Sequence, residues 1–203
     1  DDLPKTDKIY TDLKFFEQNF KGVMPLEILV STSSKAGIIR DLEGLNKIDS
    51  LSRSIATIPG MARPLSIIEG LKFAKQAFFE GDSLNYSMPS QFDLPAMVEY
   101  LKFKKDTTGT TNSFSKLVSS FMDSSRQEAR ISINMEDVGN VRLPEILDSI
   151  TKKTNQLFSN KKYTVQLTGT SITFLEGSSF IINGLKESIL WAFLLISLCM
   201  LYL

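Results

Sequence analysis

Apolar positions recur along this chain with two periods, about 3.6 and 2, and the switches between them outline its elements. Ile9, Leu13, Phe16 and Phe20 recur at helical spacing. They predict an amphipathic helix over residues 6–20, which Thr6 or Asp7 can cap and Gly22 can end. Residues 23–32 turn to strand character, with Leu26, Ile28 and Val30 on one face. Residues 38–58 are helical again, with a stripe of Leu42, Leu45, Ile48, Leu51 and Ile55 that Pro59 and Gly60 break. Ser66 with Glu69 fits a capping box for a helix through about Phe79, which Gly81 stops.

Residues 82–92 read as irregular, and Asp93 as the cap of a short helix with Pro95 in its first turn and Met97, Val98 and Leu101 facing inward. Residues 106–115 read as a polar loop. A hairpin is predicted from residues 117–122 and 128–135. In its second strand Ala129, Ile131, Ile133 and Met135 alternate with Arg130, Ser132 and Asn134, so one face is covered and one wet. Pro144 is expected to open a helix with Ile146, Leu147, Ile150 and Leu157 inside. Tyr163, Val165 and Leu167 give a last strand that Gly169 ends. The order implies an α+β layer, helices on one face of a largely antiparallel sheet.

Residues 189–203, ILWAFLLISLCMLYL, carry no charge, and nine of the fifteen are Leu, Ile or Phe. At about 1.5 Å per residue the run reaches about 22 Å, short of the ~30 Å hydrocarbon core of a bilayer. It reads as the first part of a transmembrane helix that continues past Leu203; the alternative is a buried C-terminal helix of a soluble domain. Only Lys186 is basic among residues 174–188. Cytoplasmic flanks usually carry more Lys and Arg, so the preceding domain is expected outside the cytoplasm.

The charge balances, 23 basic against 23 acidic residues, which leaves no electrostatic footprint for nucleic acid. Lys102, Lys104 and Lys105, and likewise Lys161 and Lys162, read as solvated helix ends and turns. The chain has no histidine, which removes Ser-His-Asp catalysis and histidine-ligated metals. Its one cysteine, Cys199, lies in the apolar run, so no disulfide can form within the chain. Glu136 and Asp137 are adjacent at a strand end and would point to opposite faces, a poor arrangement for a paired acid and base. Asn85-Tyr86-Ser87 matches a glycosylation sequon of a kind common by chance. No catalytic residue, metal site or cofactor is expected. Phe78, Phe79, Tyr86, Met88, Phe92 and Tyr100 gather in one region of sequence. Such aromatic and Met-rich surfaces can hold greasy ligands, although each residue also suits ordinary packing between helices.

Several segments, in order, resemble the first extracytoplasmic loop of resistance-nodulation-division exporters, in the mycobacterial-membrane-protein-large and hopanoid-exporter-like branch. NFKGVMPLEILVST at 19–32 resembles the opening of that loop, and DDLPKTDKIYTDLKFFEQNF before it the segment after the first membrane helix. ARISINMEDVG at 129–139 is similar to the second strand of the loop's hairpin. YTVQLTGTSITFLEG at 163–177 is similar to the last strand and the lead into the second membrane helix, which ESILWAFLLISLCMLYL fits. The resemblance implies a porter domain, a ferredoxin-like open sandwich of βαβ units with extra helices, followed by a truncated transmembrane helix.

On that reading residues 1–21 form the helix after the first membrane helix, 22–170 the porter domain, and 171–203 the lead-in and partial second membrane helix. The whole pump would move lipids or other hydrophobic molecules outward, driven by protons, from the inner membrane, with residues 1–187 on the periplasmic side. The family's proton-relay carboxylates lie in later membrane helices, so no functional residue carries over. The six aromatic and Met residues are then candidates for a substrate path. The expected partners are the rest of the transporter with its second porter loop, a hydrophobic or lipid substrate and the membrane, with a homo-oligomer possible. The alternative is a membrane-anchored extracytoplasmic ligand-sensing or scaffold domain.

Overall fold

The computed structural model describes residues 4–93, residue 97 and residues 119–203. The loop expected at 106–115, the inward faces of Val98 and Leu101, and Tyr100 lie outside the described residues.

Helix α1 (Lys8–Phe20) starts at Asp7, whose carboxylate accepts the Ile9 N–H, and ends at Lys21 in the left-handed region. Strand β1 (Met24–Thr32) is the centre of a three-stranded antiparallel sheet, between β2 (Glu128–Met135) and β3 (Tyr163–Thr168). Met24 faces Met135 on one side, and Glu27 faces Thr168 on the other. Both neighbours oppose β1, so β2 and β3 run parallel to each other, and α4 (Gly139–Leu157) carries the chain from one to the other.

Alternation decides what this sheet buries. Leu26, Ile28 and Val30 from β1, and Ala129, Ile131, Ile133 and Met135 from β2, are all buried on one face. Helices α2 (Leu42–Ala56), α3 (Ile67–Phe78) and α4 supply Leu45, Ile48, Leu51, Ile67, Leu71, Leu143 and Ile150 to the same core. Each large side chain taken fully out of water contributes about 1.5–3 kcal/mol. The other face is polar, with the Arg130 guanidinium 3.3 Å from the Glu27 carboxylate. The chain is thus mixed helix and strand, with the three expected strands in one sheet.

Four local expectations are corrected. The helix expected over 38–58 is divided: residues 38–40 form a 3₁₀ turn, and the Asp41 carboxylate accepts the Gly44 N–H and starts α2. Ser90, not Asp93, caps the turn there: Ser90 Oγ accepts the Asp93 N–H and the Asp93 carboxylate accepts the Ser90 N–H. The strand expected at 117–122 is absent from its described part; residues 119–121 are helical and Met122 makes one bridge, to Ala129. The Asp123 carboxylate takes the Glu128 N–H and Arg126 turns to φ 58°, which ends the ladder there. Pro144 lies inside α4 rather than at its start.

Residues 60–65, expected only as a break, instead close the outer edge of β2. Glu136 N donates to Gly60 O at 2.9 Å, Ala62 N to Asn134 O at 2.8 Å, and Leu65 and Ser132 exchange two bonds of 2.8 Å. A covered edge cannot pair with a foreign strand. Pro64, which has no N–H to offer, fits this segment at the sheet margin.

After β3 the chain passes Gly169 at φ 114° into α5 (Thr170–Tyr202). A Cβ at Gly169 would stand 3.0 Å from the Pro25 carbonyl oxygen, so the close approach and the backbone angle both require glycine.

Candidate functional site

Helix α5 has 33 residues, about 50 Å at about 1.5 Å per residue. It is the one helix among the described residues long and apolar enough to cross a membrane, and none of its most apolar stretch is buried by the rest of the chain. Trp191, Leu194 and Leu198 are all exposed, so the alternative of a helix buried in this chain's own core does not hold. Length and exposure together are compatible with anchoring in a membrane.

This helix joins the sheet directly. Ser171 is buried, and its hydroxyl donates to the Pro25 carbonyl at 2.7 Å. Ile172 and Leu175 pack against the core. The first turns of α5 therefore belong to the folded domain, and no linker separates sheet from apolar helix.

Phe78, Phe79, Tyr86, Met88 and Phe92 lie at and beyond the C-terminal end of α3. Phe78 and Phe79 meet edge to face, with ring centroids 5.2 Å apart. Both are partly exposed, Met88 packs partly buried against the core, and Phe92 is 90% exposed. Tyr86 donates its hydroxyl proton to the Glu69 carboxylate at 2.5 Å. Burial and that carboxylate both push the Tyr86 phenol up from its ordinary value. Two open clefts among the described residues lie elsewhere. One of about 360 Å³ is bounded by Leu29, Phe121 and Arg130, and one of about 340 Å³ by Ile55, Ile58 and Ile150.

What fixes the aromatic segment is a polar network that side-chain spacing alone does not reveal. Ser66 caps α3 by accepting the Ile68 N–H at 3.2 Å, but Glu69 does not complete the capping box. Its carboxylate meets Arg63 at 2.6 Å and Lys72 at 3.5 Å, besides Tyr86. Lys72 continues to Asp49 of α2 at 2.6 Å. Lys75 holds the far side, reaching Asp93 at 3.1 Å, Ser87 at 3.2 Å and the Met88 carbonyl at 3.4 Å. Residues 86–93 are thus strapped onto α3, and the paired residues that do the strapping lie up to 18 apart in sequence.

A second polar cluster ties β3 to α2. The Asp41 carboxylate accepts from the Tyr163 hydroxyl and from the Lys162 ammonium, each at 2.8 Å. Burial pushes Asp41 up, but the bonds from Lys162, Tyr163 and Gly44 outweigh it and leave the group below its ordinary value. The bond to Asp41, and then the one to Tyr163, raises Lys162 above its ordinary value. A Cβ on Gly44 would stand 3.0 Å from the Tyr163 ring and 3.2 Å from the Asp41 carboxylate, so a larger residue there would press on the cluster. Its bonds are spent on the fold, with a capped helix and a fixed strand end as their product. Among the described residues there is no group of three or more Cys, Asp or Glu placed to hold a metal.

No protein-family model matches the chain, and no curated protein matches it in sequence.

Proposed function

We propose that the chain is the first extracytoplasmic porter domain of a proton-driven exporter of lipids or other hydrophobic molecules, with residues 1–187 on the periplasmic side of the inner membrane. The observation that carries this reading is the linkerless junction at Gly169–Leu175, where the first turns of a membrane-length helix pack against the domain core. A displacement of α5 in the bilayer would move the sheet as one body, which is what a porter needs from its membrane helices. The ordered resemblance of residues 19–32, 129–139 and 163–203 to the exporter loop supports it. So does the sheet order β2-β1-β3 with helices on one face, which suits a ferredoxin-like open sandwich.

In this reading the domain shapes a path and the proton chemistry lies elsewhere in the protein. Phe78, Phe79, Tyr86, Met88 and Phe92 line the substrate side. Glu187 stands at the edge of the apolar run and takes no part in proton coupling.

Transport by the intact protein in vesicles under an imposed proton gradient tests the reading. A hydrophobic dye should move with the gradient. Phe79→Ala and Tyr86→Ala should change apparent affinity or substrate range, with the pH dependence unchanged and folding checked separately. Glu187→Gln should leave proton flux intact. A folded protein that moves no dye under any gradient, and instead changes a cytoplasmic output when a ligand binds outside, is the sensing domain.

A further inference from the structure

We infer that α1 presents a lipid-contacting face, and that acyl chains occupy it between the bilayer and the domain. The inference rests on reading α5 as a membrane helix, and not on the identity of the cargo.

At about 100° per residue, Ile9, Leu13, Phe16 and Phe20 fall within an arc of about 60°. They are 59%, 43%, 51% and 56% exposed, and the rings of Phe16 and Phe20 stack 5.2 Å apart. Thr11 and Lys14 lie on the opposite side of the helix, where Phe15 is exposed as well. Four large apolar side chains in one exposed line are costly to leave in water, at about 25 cal/mol per Å².

The end of the domain to which this helix is attached bears on what covers it. Gly22, directly after α1, sits against the Met135 backbone, and the first turn of α5 is bonded to Pro25. Both helices thus join the same end of the sheet. On α5, Phe174, Ile181 and Leu185 form a second exposed stripe, at 57%, 68% and 61%. It runs from that end of the sheet to Lys186 and Glu187, and residues 188–203 beyond them carry no charge. From Thr170 to Lys186 the helix rises about 24 Å, and α1 is about 20 Å long. Helix α1 therefore matches in length the stretch between domain and bilayer, where α5 offers Phe174 near the sheet and, past Gly177 and Ser178, Ile181 and Leu185 next to the hydrocarbon. A flexible acyl chain fits a narrow aromatic stripe, and the bilayer at its foot supplies one.

Photocrosslinking decides it. p-Benzoylphenylalanine is placed singly at Leu13, Phe16, Thr11 or Leu195 in the intact protein, which is reconstituted in phosphatidylethanolamine–phosphatidylglycerol vesicles, irradiated and weighed by mass spectrometry. Lipid-mass adducts at positions 13 and 16, severalfold above position 11, are expected, with position 195 giving them as well. Adducts at 195 but only polypeptide crosslinks at 13 and 16 would mean that a protein surface covers α1 and would overturn the inference alone. So would yields at 13 and 16 no higher than at 11. An absence of lipid adducts at 195 would overturn the membrane reading, and this inference with it.

Discussion

Helices α1 and α2 carry the same kind of apolar stripe and meet opposite fates. In α2, Leu45, Ile48, Leu51 and Ile55 are at most 1% exposed, against β1, β2 and the neighbouring helices. In α1, the four stripe residues are each at least 43% exposed. The stripe says that a helix has a side to cover, and it does not say what covers it. That depends on the chain on either side. Helix α2 follows a strand whose buried face needs a roof. Helix α1 precedes that strand at the sheet end from which α5 departs. The comparison divides the molecule into a core that covers itself and two helices whose apolar surface the described residues leave exposed.

The largest expected effect is a cut into the covered stripe. Leu51→Ala removes a side chain with no exposed surface and leaves a cavity, at a cost of about 2–5 kcal/mol. Denaturant-dependent hydrogen exchange at the Ile28 and Val30 amides reads it, since these lie in the central strand. A loss below about 1 kcal/mol would mean that α2 is as loosely held as α1, and the contrast between them would disappear.

Next is the hinge by which the uncovered helix is attached. Gly22 stands at φ 113°, and a Cβ there would lie 2.0 Å from both the carbonyl carbon and oxygen of Met135. Gly22→Ala should cost about 1–3 kcal/mol through backbone strain, besides the displacement of β2. Helix α1 is thus bound tightly at one point and exposed along its length. Exchange at β2 amides that did not rise in this variant would show that α1 can swing away from Met135 without disturbing the sheet.

The fold was readable where periodicity and burial agree. Leu26, Ile28 and Val30 alternate because the strand has one covered face, and the same holds for Ala129 through Met135, so both strands and their shared sheet follow from the pattern. Residues 189–203 were readable for the opposite reason, an unbroken apolar run with no polar face. Elements governed by single side-chain bonds were not. Asp41, Asp123 and Ser90 each redirect a few backbone N–H groups, and such bonds leave the hydrophobic period unchanged. The cover of β2 by residues 60–65 escaped because Pro59, Gly60 and Pro64 signal a break whether or not the segment then lies along a sheet. At the candidate site, the nearness of Phe78 to Phe79 follows from adjacency. The Glu69 network, which joins α2, α3 and the segment after it, depends on tertiary packing that one stretch of sequence does not encode.

A smaller effect is expected at the tie between β3 and α2. Asp41→Ala should cost about 1 kcal/mol as a lost helix cap. The wild-type advantage should also depend on pH. The Asp41 pKa is lower in the folded chain than its ordinary 3.8, so its contribution is complete above that value and is lost as the pH falls through the lowered one. Lys162 is raised above its ordinary 10.5, so its share is complete below that value and is lost as the pH rises through the raised one. Between these limits the difference in stability should be flat. A difference that instead grew as the pH fell below about 4 would mean that the carboxylate does not favour its charged form in the folded state.

The smallest effect is the one that sharpens the contrast most. Phe16→Ser removes a large aromatic side chain from α1, and in a covered helix such a change would cost several kcal/mol, about 3–5 for full truncation of a buried Phe. Here the ring is 51% exposed and its neighbours are Phe15 and Phe20 of the same helix. The sheet and its core lose no packing, so exchange at Ile28 and Val30 should change by no more than about 0.5 kcal/mol in detergent. The protein in vesicles should respond differently, because there the stripe has something to touch. α1 amides from Thr11 to Phe20 should exchange faster in the variant than in the wild type, while the β1 amides remain as they were. Equal exchange in α1 with and without the ring would show that its apolar stripe has no partner in the membrane-bound protein. A loss in β1 as large as that of Leu51→Ala would show that α1 roofs the core after all, and the division of the molecule into a self-covered core and an outward-facing pair of helices would be wrong.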